Sequence, residues 1–462
     1  MSEQNSEYQL NQTDEYVNHL ADVQETNPVT ASEDIFNDFG VLLLKKGAVI
    51  NQRVAGHLVQ HKLKKELDQS INVANALTLY DVLNQMLELV ESESEFNLLH
   101  QHFDFEVTLR QLFFAKPIPA QVLQRLTVMQ QVMPDVYKRS LFGAWMAPLL
   151  AKMMGLPHQS YFSAFAAGLS HDIGLLHIPV EAATKQEGLS YSQWRALKSH
   201  PIVARIIMEG RKVYDDDTLQ GVANHQERCD RSGYPSYKPS KEIGWVAPLV
   251  AISDQLFEIF YDNSRDSKTI LAWNAYLEVN MTTFGVRNVE PLLALLKDPK
   301  IIAHVQKELP PVNVSDVAVQ NGQVSQLFEL VVDLFDIAAS HPRSRVARAV
   351  SECITQLRWV RDSAGMGSDH LSEWLEWCQK NPNEVDATEL AEISELLSCL
   401  RWRFRHLWRV AVEFSWSDKV SDEDKTQVKA IYQKMTPLLP KPGVIDPEAP
   451  EPEDQSPVLP KV

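Results

Sequence analysis

Gly168-Leu169-Ser170-His171-Asp172-Ile173-Gly174 closes an apolar run that begins at Tyr161 and is rich in alanine. The run shows no strand-type alternation and reads as a helix, with Gly174 available to stop it. A His-Asp pair at the end of such a helix needs compensation, because burying an unpaired carboxylate is costly. Asp172 therefore meets a cation or stays at the surface. A helical surrounding and a polar centre are the two expectations set by this stretch.

Working outward, the helical pattern persists. Leu79, Val82, Leu83, Met86, Leu87 and Val90 recur at three- and four-residue steps, as an amphipathic helix requires. Met129 to Met154 is dense in Ala, Leu and Met, and alternation is absent across 74–300. The expected fold is mainly all-α: a helical bundle with a small N-terminal β-β-α element and a helical C-terminal domain. Residues 1–33 are polar and acidic and read as a disordered leader. Residues 34–73 hold two short strands and a helix, 74–129 a helical linker region, and 130–265 the bundle with the polar centre. Residues 266–436 form the C-terminal helical domain, and 437–462 a disordered tail of prolines and acids. Six of the ten tryptophans lie between Trp359 and Trp416. They read as core and surface aromatics, with Arg401-Trp402-Arg403-Phe404-Arg405-His406-Leu407-Trp408-Arg409 the place to look for a partner-binding face.

Composition narrows the function. A net charge of −17 over 462 residues argues against a nucleic-acid-binding body, since phosphate-backbone affinity rests on cationic side chains. No apolar run approaches the ~18 residues of a membrane span, and no basic residue precedes Lys45, so no membrane insertion and a cytoplasmic location are expected. Cys229, Cys353, Cys378 and Cys399 form no CxxC pair and read as free thiols.

Three further elements join the His-Asp pair. His200 precedes Pro201, which suits the first turn of a following helix and would hold His200 at its entrance. His225 ends a helix built on Leu219, Val222 and Ala223, and Asp254 is an acid inside an apolar segment, Val246 to Ser253. His171, Asp172, His200, His225 and Asp254 suit divalent iron, manganese or zinc, and Asp172 could bridge two ions. Paired ions would clamp a phosphate and activate a water.

With His225-Gln226-Glu227 running into Asp230-Arg231-Ser232-Gly233-Tyr234-Pro235, and with Ile178-Pro179 and Lys185-Gln186-Glu187-Gly188-Leu189-Ser190 between the histidines, the chain resembles the HD-GYP family. That family is a branch of the HD-domain metal-dependent phosphohydrolases, and its usual substrate is the bacterial second messenger cyclic di-GMP. The resemblance covers roughly 130–265. It implies Asp172 and Glu227 as catalytic residues, the five residues above as metal ligands, Arg231 and Tyr234 as substrate contacts, and the Gly-Tyr-Pro loop as a surface for diguanylate cyclases or other signalling proteins.

The departures from the family pattern bear on activity. Gln226 stands in place of a second adjacent histidine, and an amide oxygen is a poor transition-metal ligand. Arg139 stands where the family has a metal-binding histidine, with Asp135 available to pair with it, and its cation would repel an ion nearby. Leu175 replaces a lysine that faces substrate phosphate. His177, at a usual glycine position, reads as a surface imidazole rather than a stray ligand. The expectation is a cyclic di-GMP phosphodiesterase relative with weakened or lost hydrolysis and at most one loosely held ion. The alternative is a catalytically silent module that binds a related nucleotide or a signalling protein.

Overall fold

In the computed structural model, which describes residues 14–185, 187–261, 270–305, 311–441, 443–447 and 449, the run ending at Ser170 is a helix and helices dominate the chain. The N-terminal part holds α1 (Glu15–Asp22), β1 (Val29–Ala31), β2 (Ile35–Phe36), β3 (Leu42–Leu44), α2 (Gln52–Leu58) and β4 (Ile71–Val73). Its strands form two separate antiparallel pairs: β1 with β4, Thr30 opposite Asn72, and β2 with β3, Ile35 opposite Leu44. The β-β-α reading is thus incomplete, because β1 lies ahead of residue 34 and its partner β4 follows the helix.

The leader expectation also needs correction over residues 14–33; residues 1–13 lie outside the described residues. Asp14 accepts the Tyr16 N–H and starts α1, which buries Tyr16, Val17 and Leu20. Those three positions share one helix face, so an amphipathic helix of eight residues folds within a stretch whose average composition is polar.

Next come α3 (Leu79–Ser92), α4 (Ser94–His102), α5 (Phe105–Ala115) and α6 (Ala120–Val132). They are core rather than linker. The Phe96 ring lies 4.9 Å from Phe142 and 4.5 Å from Phe260, and Phe105 and Phe113 are fully buried. The bundle continues with α7 (Pro134–Met153), α8 (Tyr161–Ser170), α9 (Val180–Thr184), α10 (Tyr191–Glu209), α11 (Asp216–Asn224) and α12 (Val246–Tyr261). α8 is the hub, touching α7, α11 and α12. It meets α7 backbone to backbone: a Cβ on Gly168 would lie 2.3 Å from the Gly143 carbonyl oxygen, so only glycine permits this approach.

The C-terminal part runs through α13 (Ile270–Val279), α14 (Met281–Phe284), α15 (Val286–Leu296), α16 (Pro299–Val305), α17 (Val314–Ala339), α18 (Arg345–Ala364), α19 (Asp369–Lys380), α20 (Ala387–Ser415) and α21 (Asp422–Met435). α17, α18, α20 and α21 enclose a second apolar core, in which Trp408 stacks on Tyr432 at 4.0 Å. Leu189, Trp194 and Tyr237 from the bundle enter that core. Part of the proline-rich end is ordered there too, against expectation. Ile445 is fully buried, the Leu189 N–H donates to the Val444 carbonyl, and the Asp446 N–H donates to the Leu189 carbonyl. The two apolar residues Val444 and Ile445 carry this docking; the residues from 450 onward lie outside the described residues.

Candidate metal centre

Four helices deliver the five polar residues. His171 caps the C-terminus of α8, His225 caps that of α11, and Asp254 lies within α12. His200 sits inside α10, which continues through Pro201 to Glu209, so the helix does not begin at the proline as expected. Each imidazole is held the same way. Nδ1 of His171 lies 2.8 Å from the Gly168 carbonyl, Nδ1 of His200 2.6 Å from that of Leu197, and Nδ1 of His225 2.7 Å from that of Val222. A carbonyl only accepts, so each Nδ1 carries the hydrogen, and each Nε2 is directed to the common centre.

The structure brings all five together. His171 Nε2 is 3.1 Å from Asp172 Oδ2 and 3.0 Å from Asp254 Oδ1. His200 Nε2 is 3.5 Å and His225 Nε2 3.8 Å from Asp172 Oδ1, and these two nitrogens face each other at 3.1 Å. Two lone pairs at that separation repel unless a cation or a proton lies between them. His171 Nε2, Asp172 Oδ1 and Asp254 Oδ1 are buried without a well-angled hydrogen bond among the described residues. This donor set fits a divalent cation: ligand atoms of His171, Asp172 and His225 lie within 4.8 Å of one another, and hydrogen-bonding the far ring nitrogen is how metal-binding histidines are oriented.

Arg139 enters this centre from α7. Its Nη2 lies 2.5 Å and its Nε 2.9 Å from Asp172 Oδ2, while Nη1 reaches Glu258 at 3.3 Å. The expected partner Asp135 is not the one used; the buried carboxylate attracts the guanidinium more strongly than a solvated acid one turn away. Burial would raise the Asp172 pKa, but Arg139 and His171 hold it well below the usual carboxylate range. Burial would lower that of His171, but Asp172 and Asp254 carry it up to about 10. His200 goes down to about 4 by burial, and His225 well below its ordinary value by burial and the neighbouring imidazoles.

Other expected site residues fall elsewhere. Glu227 is buried, and its two oxygens accept the Ser236 and Lys238 backbone N–H groups at 2.7 and 2.9 Å. Through these two hydrogen bonds it braces the loop. Leu175 is 1% exposed within the apolar core. His177 is buried as well, 2.6 Å from Asp14 and 3.1 Å from Arg125, because α1 covers a position that reads as surface. Gln226 is half-buried and its carbonyl accepts the Tyr234 N–H at 2.9 Å. Tyr234 stays beside the centre, its ring 6.3 Å from that of His200, whereas Arg231 points to Glu352 at 3.3 Å.

The arginine-aromatic string of α20 turns out to clamp this loop. Arg403 Nη2 meets Asp230 at 3.3 Å, and His406 Nε2 lies 3.1 Å from the Ser232 carbonyl, which also accepts from Arg409. The Arg409 guanidinium lies 5.3 Å from the ring centres of both Trp194 and Tyr234. Glu413 accepts from Tyr237 and, at 2.7 Å, from Lys198. Arg403 and Arg409 are buried by these contacts, and Arg405, which lies over the Trp402 ring, is buried too. Residues 403, 406, 409 and 413 share one helix face, a spacing that shows they act together but not what they face. Glu258, one turn after Asp254, could have been found the same way.

Comparisons with known proteins place this geometry. A family model described as HD domain matches residues 119–269, taking in α6 ahead of the boundary at 130. The chain is 32% identical over 106 residues to the 3'3'-cGAMP-specific phosphodiesterase 1 of Vibrio cholerae, covering 23% of this chain and 24% of that protein. It is 29% identical over 159 residues to a cyclic di-GMP phosphodiesterase of Pseudomonas aeruginosa, covering 32% and 38% respectively. The chain therefore spans well under half the length of these curated relatives. Segment 119–269, which carries the three inward imidazoles and two carboxylates on four helices, is thus an HD domain.

Proposed function

We propose that the chain is an HD-GYP-type protein that binds a cyclic dinucleotide at the His171-Asp172 centre and hydrolyses it slowly or not at all. The contact between Arg139 and Asp172 Oδ2 carries this reading. With a guanidinium on one oxygen, Asp172 has fewer lone pairs to offer, and the fixed positive charge beside it disfavours a second cation. His200, His225 and the remaining Asp172 oxygen would hold a single divalent ion: iron, manganese or zinc. When bound, that ion would supply Lewis acidity toward a phosphate oxygen. The protein's own residues orient the imidazoles through backbone carbonyls, balance the buried Asp172 charge with Arg139, and set the Tyr234 ring beside His200. The choice of a cyclic dinucleotide rests on the two relatives' substrates.

A silent nucleotide-binding module is the second reading, favoured by the same Arg139 contact. A diguanylate cyclase docking on the Gly-Tyr-Pro loop has less support, because Ser232, Gly233 and Pro235 are buried and α20 occupies the loop. Elemental analysis of anaerobically purified protein, paired with assays on cyclic di-GMP and 3'3'-cGAMP, tests the proposal. The expected result is at most one ion per chain and turnover far below about 1 per second, an ordinary enzyme rate. Arg139→His combined with Gln226→His should raise ion content. Two ions and rapid hydrolysis in the wild-type protein would overturn the reading.

A further inference from the structure

The outer side of the loop faces a different neighbour. Arg231, Lys238 and Lys241 from the loop, with Arg345 and Arg348 from the first turn of α18, line a surface cleft of about 250 Å³. Glu242 is the acid on its lining, and Glu352 pairs with Arg231 at 3.3 Å and also interacts electrostatically with Arg348. Among the described residues, Lys238, Lys241, Arg345 and Arg348 form no ion pair; the Lys238 ammonium donates instead to the neutral amide oxygen of Asn224 at 2.8 Å.

A chain of net charge −17 has ample acid to neutralise its surface. Five cations converging on one concavity with so little compensation repel one another, and a bound anion would relieve that repulsion. α18 adds to the field. It is twenty residues long, begins at Arg345 behind the Ser344 cap, and presents its positive end to the same cleft. The arginines offer planar, forked donors suited to phosphate oxygens. The volume falls below the ~300–1,000 Å³ of sites that enclose drug-sized ligands, so it suits a diphosphate rather than a whole dinucleotide.

We propose that this cleft is a metal-independent binding site for an oligophosphate group of the diphosphate class, free or carried on a nucleotide, separate from the histidine centre. It joins the HD segment to the C-terminal domain, since its cations come from both, and a ligand seated there would tie α18 to the loop that also carries Tyr234. This inference does not depend on whether the histidine centre hydrolyses anything.

The test is calorimetric titration of the full chain in excess EDTA, which removes metal-held phosphate as a contributor. The probes are inorganic pyrophosphate, GTP and cyclic di-GMP. Saturable pyrophosphate binding is expected, weakened about tenfold or more by the double change Arg345→Gln, Arg348→Gln and weakened by added salt. Both arginines are exposed, so the variant should keep the wild-type circular dichroism and unfolding midpoint. GTP binding more tightly than pyrophosphate would identify a nucleotide-borne group, and equal or weaker binding a free diphosphate. The proposal fails if pyrophosphate shows no saturable binding below about 1 mM, if the double variant binds as well as wild type, or if cyclic di-GMP is the only probe retained.

Discussion

Asp172 is fully buried and has a guanidinium on one oxygen. Removing one partner of a buried ion pair leaves an uncompensated charge and costs roughly 3–5 kcal/mol. Arg139→Ala should therefore lower the stability of metal-free protein by about that amount, and manganese should restore more stability to the variant than it adds to wild type. Chemical denaturation with and without manganese measures this; equal stability of the metal-free proteins would show that Arg139 is not the counter-ion. The convergence of His171, Asp172, His200, His225 and Asp254 was legible in the sequence because each lies at a fixed place on its helix. The role of Glu227 was not, since its partners are backbone amides of a loop whose path no side-chain pattern encodes. Nor was the burial of His177, which depends on α1, far away in sequence.

At the level of elements, α20 is the brace of the Gly-Tyr-Pro loop. His406 lies against the Ser232 carbonyl, and burial together with Arg409 and Arg228 holds its pKa well below the ordinary 6.5. A histidine kept neutral by the fold but free to charge in the unfolded chain favours unfolding as protons are added. Its contribution is complete above about pH 6.5 and is lost as the pH falls further, by up to about 1.4 kcal/mol per unit. His406→Gln retains a donor for the carbonyl without titrating. Its unfolding midpoint should fall less steeply than that of wild type between roughly pH 6.5 and 5; parallel slopes would remove His406 as the titrating group. The helical nature of α20 follows from its apolar spacing, but which of its faces is solvent-exposed does not. Arginines at a helix surface and arginines buried against a loop share the same periodicity.

Across the whole molecule, the two ends depart furthest from the sequence reading. Low average hydrophobicity describes both, yet a few apolar residues suffice when a partner surface already exists: Tyr16, Val17 and Leu20 at one end, Val444 and Ile445 at the other. Ile445→Ala should cost about 2–5 kcal/mol, the usual penalty for emptying a buried isoleucine site. Urea denaturation followed through the C-terminal tryptophans would register it, and an unchanged midpoint would mean that the end segment docks without contributing to stability.

The pairing of Leu189 with Ile445 also orders events in time. During synthesis the bundle emerges well before the residues that complete its edge, and before α20 arrives to hold the loop beside His200. A nascent chain halted after residue 269 would present three ring nitrogens and two acids with their supporting wall still missing. The loop beside the centre is thus held only after residues 387–415 have been made and packed against Ser232.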